Sequence, residues 1–181
     1  LNCASGFRLD GIDPEDRLGY PTAVSSAGDV NGDGFDDLIV GTPYGDGPEY
    51  SRPDAGESYV IFGRSGGFAS ALDLSSLNGT TGFRLDGIDE DDFSGFTVSG
   101  AGDVNGDGFD DLIVGAPYSD PGGRGLAGES YLVFGKASGF AANIDLSTLD
   151  GSIGFRLRGV AAGDESGRSV SSAGDVNGDG F

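Results

Sequence analysis

An internal repeat constrains the fold of this chain more than any other feature of its sequence. The run GFRLDGID occupies Gly6–Asp13 and Gly82–Asp89, and the run AGDVNGDGFDDLIVG occupies Ala27–Gly41 and Ala101–Gly115. The first pair of runs is separated by a step of 76 residues and the second pair by a step of 74. A period of this length is typical of architectures in which each copy supplies one unit of supersecondary structure.

The period divides the 181 residues into three parts. We predict a first repeat at residues 1–76, a second at 77–148 and a partial third at 149–181. Glycine and proline together provide 43 of the residues, a content near the level that indicates disorder when a chain has no periodicity. Because these glycines recur with the repeat, the sequence instead predicts a folded repeat protein.

Within each repeat the apolar residues form short runs that are typical of β-strands. Leu38–Val40 is a run closed by Gly41, and Ser58–Phe62 is a second run of this kind. No stretch of the sequence carries a sustained helical apolar period. Four short strands separated by Gly, Asp and Pro turns describe one blade of a β-propeller.

We therefore predict an all-β fold made of β-propeller-type blades, each with four antiparallel strands. Propellers usually close a ring with about 4 to 8 blades, and two full repeats with part of a third supply fewer than that. The sequence thus predicts an open fragment or a repeat array rather than a closed ring.

Both full repeats contain the nine-residue acidic run DVNGDGFDD, and the third repeat begins it again. Oxygen-bearing side chains occupy positions one, three, five and nine, and the carbonyl at position seven can add another oxygen. Glycine at position six permits a sharp turn. This oxygen set suits Ca²⁺, a hard cation that takes about 6 to 8 oxygen ligands. The candidate ligands are Asp29, Asn31, Asp33, Phe35 and Asp37, then Asp103, Asn105, Asp107, Phe109 and Asp111, then Asp175, Asn177, Asp179 and Phe181.

Two other interpretations of the acidic run compete with a hairpin calcium site. An EF-hand needs a bidentate Glu at position twelve at the start of a helix, but Val40 and Val114 stand there in strand-like runs. The run could also be a plain Asp- and Gly-rich hairpin turn. Two full copies with identical ligand spacing favour calcium-binding loops that join two strands.

The charge and composition exclude several classes of function. The chain has 30 acidic and 10 basic residues and a formal net charge of −20, so we expect no nucleic-acid partner. We expect no membrane insertion, because no run of about 18 apolar residues occurs. The sequence contains no His and one Cys, Cys3, which excludes His-based catalysis and an internal disulfide.

The repeated residues resemble a known family, the FG-GAP repeats found in the calcium-binding propeller of integrin α chains. The resemblance rests on VSGAGDVNGDGFDDLIVGAP at Val98–Pro117 followed by GESYLVFG at Gly128–Gly135, and on the matching segment Val24–Gly63. It implies that the acidic loop joins the innermost strand of a blade to the next strand and binds Ca²⁺. The Phe-Gly of the family name is replaced by Ser94-Gly95 here. The long repeats are more similar to bacterial surface versions than to animal integrins.

The expected function is calcium-dependent structural or adhesive work outside a cell or at its surface, because free Ca²⁺ is millimolar there. We expect self-association or contacts with neighbouring repeats of a longer chain, and a protein or glycan ligand. The alternative is a non-catalytic propeller module of a larger secreted enzyme. The carboxylates of Asp89–Asp92 suggest a solvated loop rather than a catalytic site, so we expect no catalysis within this chain.

Two further expectations concern the acidic loops. Because the two full loops belong to separate blades, they are expected to bind ions independently. The position-eight residues, Asp36 and Asp110, are expected to point away from the ion.

Overall fold

The computed structural model describes residues 6–13, 15–21, 23–137 and 139–174. This part of the chain folds into short strands connected by turns and by four single 3-10 turns. The strands are β1 (Arg8–Asp10), β2 (Val24–Gly28), β3 (Asp37–Thr42), β4 (Glu57–Ile61), β5 (Ala71–Asp73), β6 (Gly82–Asp86), β7 (Thr97–Gly102), β8 (Asp111–Ala116), β9 (Glu129–Val133), β10 (Asn143–Asp145) and β11 (Gly154–Arg158). The 3-10 turns are Pro48–Tyr50, Leu74–Ser76, Pro121–Gly123 and Leu146–Thr148.

Four antiparallel strands form each of two blades, as the sequence predicts. The first blade contains β2, β3, β4 and β6, and the second contains β7, β8, β9 and β11. The two sheets remain open, so the all-β fold built from open propeller-type blades is confirmed. No helix in the described ranges is both long enough and apolar enough to cross a membrane.

A fifth strand, which the sequence analysis does not anticipate, lies on the outer edge of the first blade. Strand β10 pairs with β6 in parallel, with Ile144 opposite Leu85. Strand β5 pairs with β1 in the same way, with Leu72 opposite Leu9. Each of these added strands lies just before a 3-10 turn, at the end of a repeat, and pairs with the first strand of the same repeat.

The blades pack face to face through one apolar cluster. Ile39, Val60 and Phe83 of the first blade lie in the same buried cluster as Val114 and Val133 of the second. A second buried cluster, which includes Val40 and Tyr59, covers the opposite face of the first blade, which explains why its central strands are continuous apolar runs rather than alternating ones.

Stacked aromatic rings extend this packing at the outer antiparallel strand of the first blade. Phe140 stacks on Phe83 with ring centroids 4.6 Å apart and planes 5° apart. Phe68 stacks on Phe7 in the same manner at 4.3 Å. The same stacking contact thus occurs in both full repeats.

Close backbone contact between the blades depends on glycine. A Cβ atom added to Gly41 would lie 2.1 Å from the carbonyl oxygen of Gly95, and one added to Gly56 would lie 2.0 Å from that of Ser94. Next to this contact the amide of Ser94 donates a hydrogen bond to the Ala55 carbonyl at 2.9 Å. No side chain fits at either position without moving the blades apart.

We expect Gly41→Ala to destabilise the chain by about 1 to 3 kcal/mol, because the new methyl group meets backbone that cannot rotate away. For a chain of this size the melting temperature should fall by several degrees, at about 2 to 4 °C per kcal/mol. Gly125→Ala is the matched control, since its new Cβ would meet nothing within 4 Å. Equal melting temperatures for the two variants in a calorimetric scan would contradict the close-packing argument.

Candidate functional site

The acidic loops connect the first and second strands of each blade. In the first blade, β2 ends at Gly28 and β3 begins at Asp37, so residues 29–36 form the connection. Gly34 and Gly108, at position six of the two loops, have φ values of +88° and +91°. This left-handed conformation is one that glycine adopts without strain, and it turns the chain back towards the sheet.

The side chains at positions one, three and five of the first loop are held by backbone amides of the loop itself. Asp29 accepts hydrogen bonds from the amides of Asp33 at 3.0 Å and Gly34 at 2.9 Å. Asn31 accepts one from the Asp33 amide at 2.9 Å, and Asp33 accepts one from the Phe35 amide at 3.0 Å. The three side chains are therefore ordered by local contacts.

The second loop repeats these contacts with the equivalent residues. Asp103 accepts from the amides of Asp107 at 3.0 Å and Gly108 at 2.8 Å. Asn105 accepts from the Asp107 amide at 2.9 Å, and Asp107 accepts from the Phe109 amide at 3.1 Å. The sequence identity of the loops thus extends to their hydrogen bonding.

The position-nine carboxylates have a different environment. Asp37 is buried and accepts from the amides of Val30 at 3.0 Å and Gly63 at 2.8 Å. Burial raises the pKa of Asp37 to about 6, although the two amides act in the opposite direction. Asp111 is equally buried, and burial raises its pKa to about 6 as well. These carboxylates tie the loop to the end of the third strand of their own blade.

The donor chemistry of each loop fits a hard cation. Carboxylate, amide and carbonyl oxygens are the ligands that Ca²⁺ takes. An ionised carboxylate has about four lone-pair positions, so Asp37 can keep its two amide bonds and still offer an oxygen. Within the described ranges, no three carboxylate, thiol or imidazole side chains form a ready-made metal cluster. The third candidate set, Asp175, Asn177, Asp179 and Phe181, lies outside the described residues.

The two loops belong to separate blades but touch each other, which the sequence analysis does not anticipate. The carboxylate of Asp110 accepts a hydrogen bond from the Asp29 amide at 2.7 Å. Position eight of the second loop is thus directed to the neighbouring loop. In the sequence, only the presence of Asp at position eight of both loops, as Asp36 and Asp110, points to this contact. That pattern does not identify Asp29 as the partner.

The carboxylates of Asp89–Asp92 do not form a uniformly solvated loop, so that expectation is wrong for one member. Asp92 is only 5% exposed, whereas Asp91 is exposed. Burial, with the charge of Asp89 as a smaller cause, raises the pKa of Asp92 to about 7. Asp16 is the equivalent residue of the first repeat, and burial raises its pKa to about 6. This recurrence at the repeat period was the available signal, and it indicates a structural position.

Comparison with known proteins gives the family. The model of the FG-GAP repeat matches residues 20–61 and 94–133. The chain carries FG-GAP repeats. The two matches contain the first three strands of each blade together with the acidic loop between the first and second of them.

The FG-GAP repeats of this chain are similar to those of integrin α chains. Integrin alpha-PS2 of Drosophila melanogaster is 36% identical over 138 residues, which is 76% of this chain. Human integrin alpha-IIb is 33% identical over 166 residues, or 88% of the chain, and human integrin alpha-6 is 32% identical over 134 residues, or 72%. The chain spans only 9% to 15% of the length of these relatives.

The buried carboxylate of Asp92 makes the stability of these FG-GAP repeats depend on pH. Between about pH 4 and 7 the folded state keeps a proton that the unfolded state releases, so the free energy of unfolding falls as the pH rises through this window. Asp92→Asn should therefore raise the free energy of unfolding at pH 8 by up to about 4 kcal/mol, at 1.36 kcal/mol per pKa unit, and have little effect at pH 4.

Urea unfolding at both pH values, with Asp91→Asn as the exposed control, measures this effect. A variant that is no more stable than the control at pH 8 would show that Asp92 carries no burial penalty.

Proposed function

We propose that the chain is a calcium-binding structural and adhesion module that works outside a cell or at its surface. The observation that carries the proposal is the acidic loop, which forms twice with the same hydrogen bonds at positions one, three, five and nine. The similarity to integrin α chains supports an adhesion-type module. The predicted repeats at 1–76, 77–148 and 149–181 are part of this proposal.

In each loop we assign one calcium ion to the oxygens at positions one, three, five, seven and nine. In the first loop these belong to Asp29, Asn31, Asp33, Phe35 and Asp37. The ion supplies positive charge to carboxylates that repel each other within a short hairpin. The amides of the loop hold the side chains at positions one, three and five, so little ordering is required when the ion binds.

The outer surfaces of the blades support association with further repeats. Strand β6 is paired on both edges, whereas β11 is paired only with β9 among the described residues. Beside this edge Phe155 is 36% and Leu157 is 46% exposed, although the equivalent Phe83 and Leu85 are fully buried. We propose that neighbouring repeats of a longer chain, or another copy in a filament, cover this surface.

A protein or glycan ligand would have a suitable surface on loops that connect the strands of the two blades. A groove of about 600 Å³ is lined there by aromatic rings from both blades, among them Tyr44, Phe93 and Tyr118. Phe93 lies edge-on to Tyr44 at 5.2 Å and to Tyr118 at 5.3 Å between ring centroids. Rigid aromatic rings of this kind provide contact area at low entropic cost.

The alternative is a non-catalytic propeller module of a larger secreted enzyme. Calcium binding and blade packing would be the same in both cases. The two differ in what the rest of the protein contains, namely further blades or an attached catalytic domain. In either case we propose that this chain acts by binding and not by catalysis.

Removal of calcium should destabilise the chain. An ion that binds only the folded state adds about 2.7 kcal/mol to the free energy of unfolding at a hundredfold excess over Kd. We expect excess chelator to lower the melting temperature and added Ca²⁺ to restore it. A melting curve that is the same in chelator and in Ca²⁺ would contradict the calcium assignment.

The ligand assignment is tested by one variant and its neighbour. Asp33→Ala should weaken calcium binding to the first loop by at least about tenfold, since it removes a charged oxygen from the predicted ligand set and each factor of ten is about 1.4 kcal/mol. Asp36→Ala removes the same charge from an exposed side chain of the same loop and should have a much smaller effect. Calorimetric titration of both variants measures the difference. Equal losses would show that only the net charge of the loop matters.

A further inference from the structure

The two acidic loops are joined by a pair of hydrogen bonds that runs from blade to blade. The amide of Asp29 donates to the Asp110 carboxylate at 2.7 Å, and the amide of Asp110 donates to the Asp29 carbonyl at 3.3 Å. The first residue of one loop and the eighth residue of the other thus each donate one hydrogen bond to the other and accept one from it.

Gly28, the last residue of β2, and Gly32 of the first loop make room for the second loop. A Cβ atom added to Gly28 would lie 2.2 Å from Oδ2 of Asp110, and one added to Gly32 would lie 2.4 Å from Cε1 of Phe109. Nearby, the amide of Lys136 donates to the Val30 carbonyl at 3.0 Å. The second loop and the segment that follows β9 therefore lie directly against the backbone of the first loop.

One of the joined residues is a ligand of a proposed calcium site, and the other lies between two ligands of the second site. Asp29 provides the position-one carboxylate of the first site. Asp110 stands between Phe109 and Asp111, which provide positions seven and nine of the second site. The backbone of neither loop can shift around an ion without moving its partner, because hydrogen bonds and van der Waals contact connect them.

We propose that Asp110 couples the two calcium loops, so that an ion in one loop raises the affinity of the other. This inference rests on the proposed function. An ion that holds the backbone of one loop in its binding geometry also holds the residue bonded to the other loop, so the second ion meets a loop whose backbone is already positioned. By thermodynamic reciprocity the effect is the same in both directions.

The chain provides a matched control for this role. Asp36 occupies position eight of the first loop, and its side chain is exposed and accepts no hydrogen bond from any described residue. Asp36→Ala and Asp110→Ala remove the same charge from the same loop position, but only the second removes the contact between blades. Asp110→Asn removes the charge and keeps an oxygen that can accept from Asp29.

A double-mutant cycle on the affinity of the first loop tests the coupling. The amide NMR signals of Gly34 and Gly108 report separately on the two loops during a Ca²⁺ titration of the 181-residue chain. Disabling the second loop with Asp107→Ala should weaken binding at Gly34 by about 5-fold or more, the lower end of measured couplings. In the Asp110→Ala background the same change should have almost no effect on Gly34. In the Asp36→Ala and Asp110→Asn backgrounds most of the effect should remain.

A second measurement does not depend on the Asp110 variants. When the first loop is disabled with Asp33→Ala, Ca²⁺ binding to the second loop should still slow hydrogen exchange of the Asp29 amide. Unchanged exchange at Asp29, or equal coupling in the Asp110→Ala and Asp36→Ala backgrounds, would overturn the inference while leaving both sites intact. Failure of Gly34 and Gly108 to respond to Ca²⁺ at all would overturn the proposed function itself, and the coupling with it.

Discussion

The face-to-face packing of one blade on the next is the interaction on which the rest of the described structure depends. Ile39, Val60 and Phe83 pack against a different set of side chains on the second blade, which includes Val114 and Val133. The two faces of a blade are thus complementary to each other and not to themselves. Such a contact is head-to-tail, and it propagates from repeat to repeat.

Much of this fold can be predicted from the sequence because the repeated residues specify it. The period separates the blades, and the apolar runs mark the central strands, since a strand covered on both faces needs no alternation. The short outer strands β5 and β10 could not be predicted in the same way. Each has only three residues, which is too few to show a period, and each depends on a partner strand at the other end of the same repeat.

The features of the candidate site can be separated in the same way, into those that the sequence predicts and those that it does not. The fixed positions of the Asp29, Asn31 and Asp33 side chains follow from their spacing in the loop, because these side chains accept hydrogen bonds from amides a few residues away. The burial of Asp92 and the reach of Asp110 to the neighbouring loop are properties of the blade packing. Neither can be predicted from a single repeat, since both side chains have environments built by residues distant in sequence.

The outermost antiparallel strand of the first blade, β6, comes from the second repeat, and the strand that covers it, β10, comes later still in that repeat. The segment that is copied along the gene and the segment that folds as a blade are therefore out of step by one strand. Gain or loss of a whole period leaves every blade complete, wherever in the period the join falls. Gain or loss of part of a period leaves a blade without its outer strand.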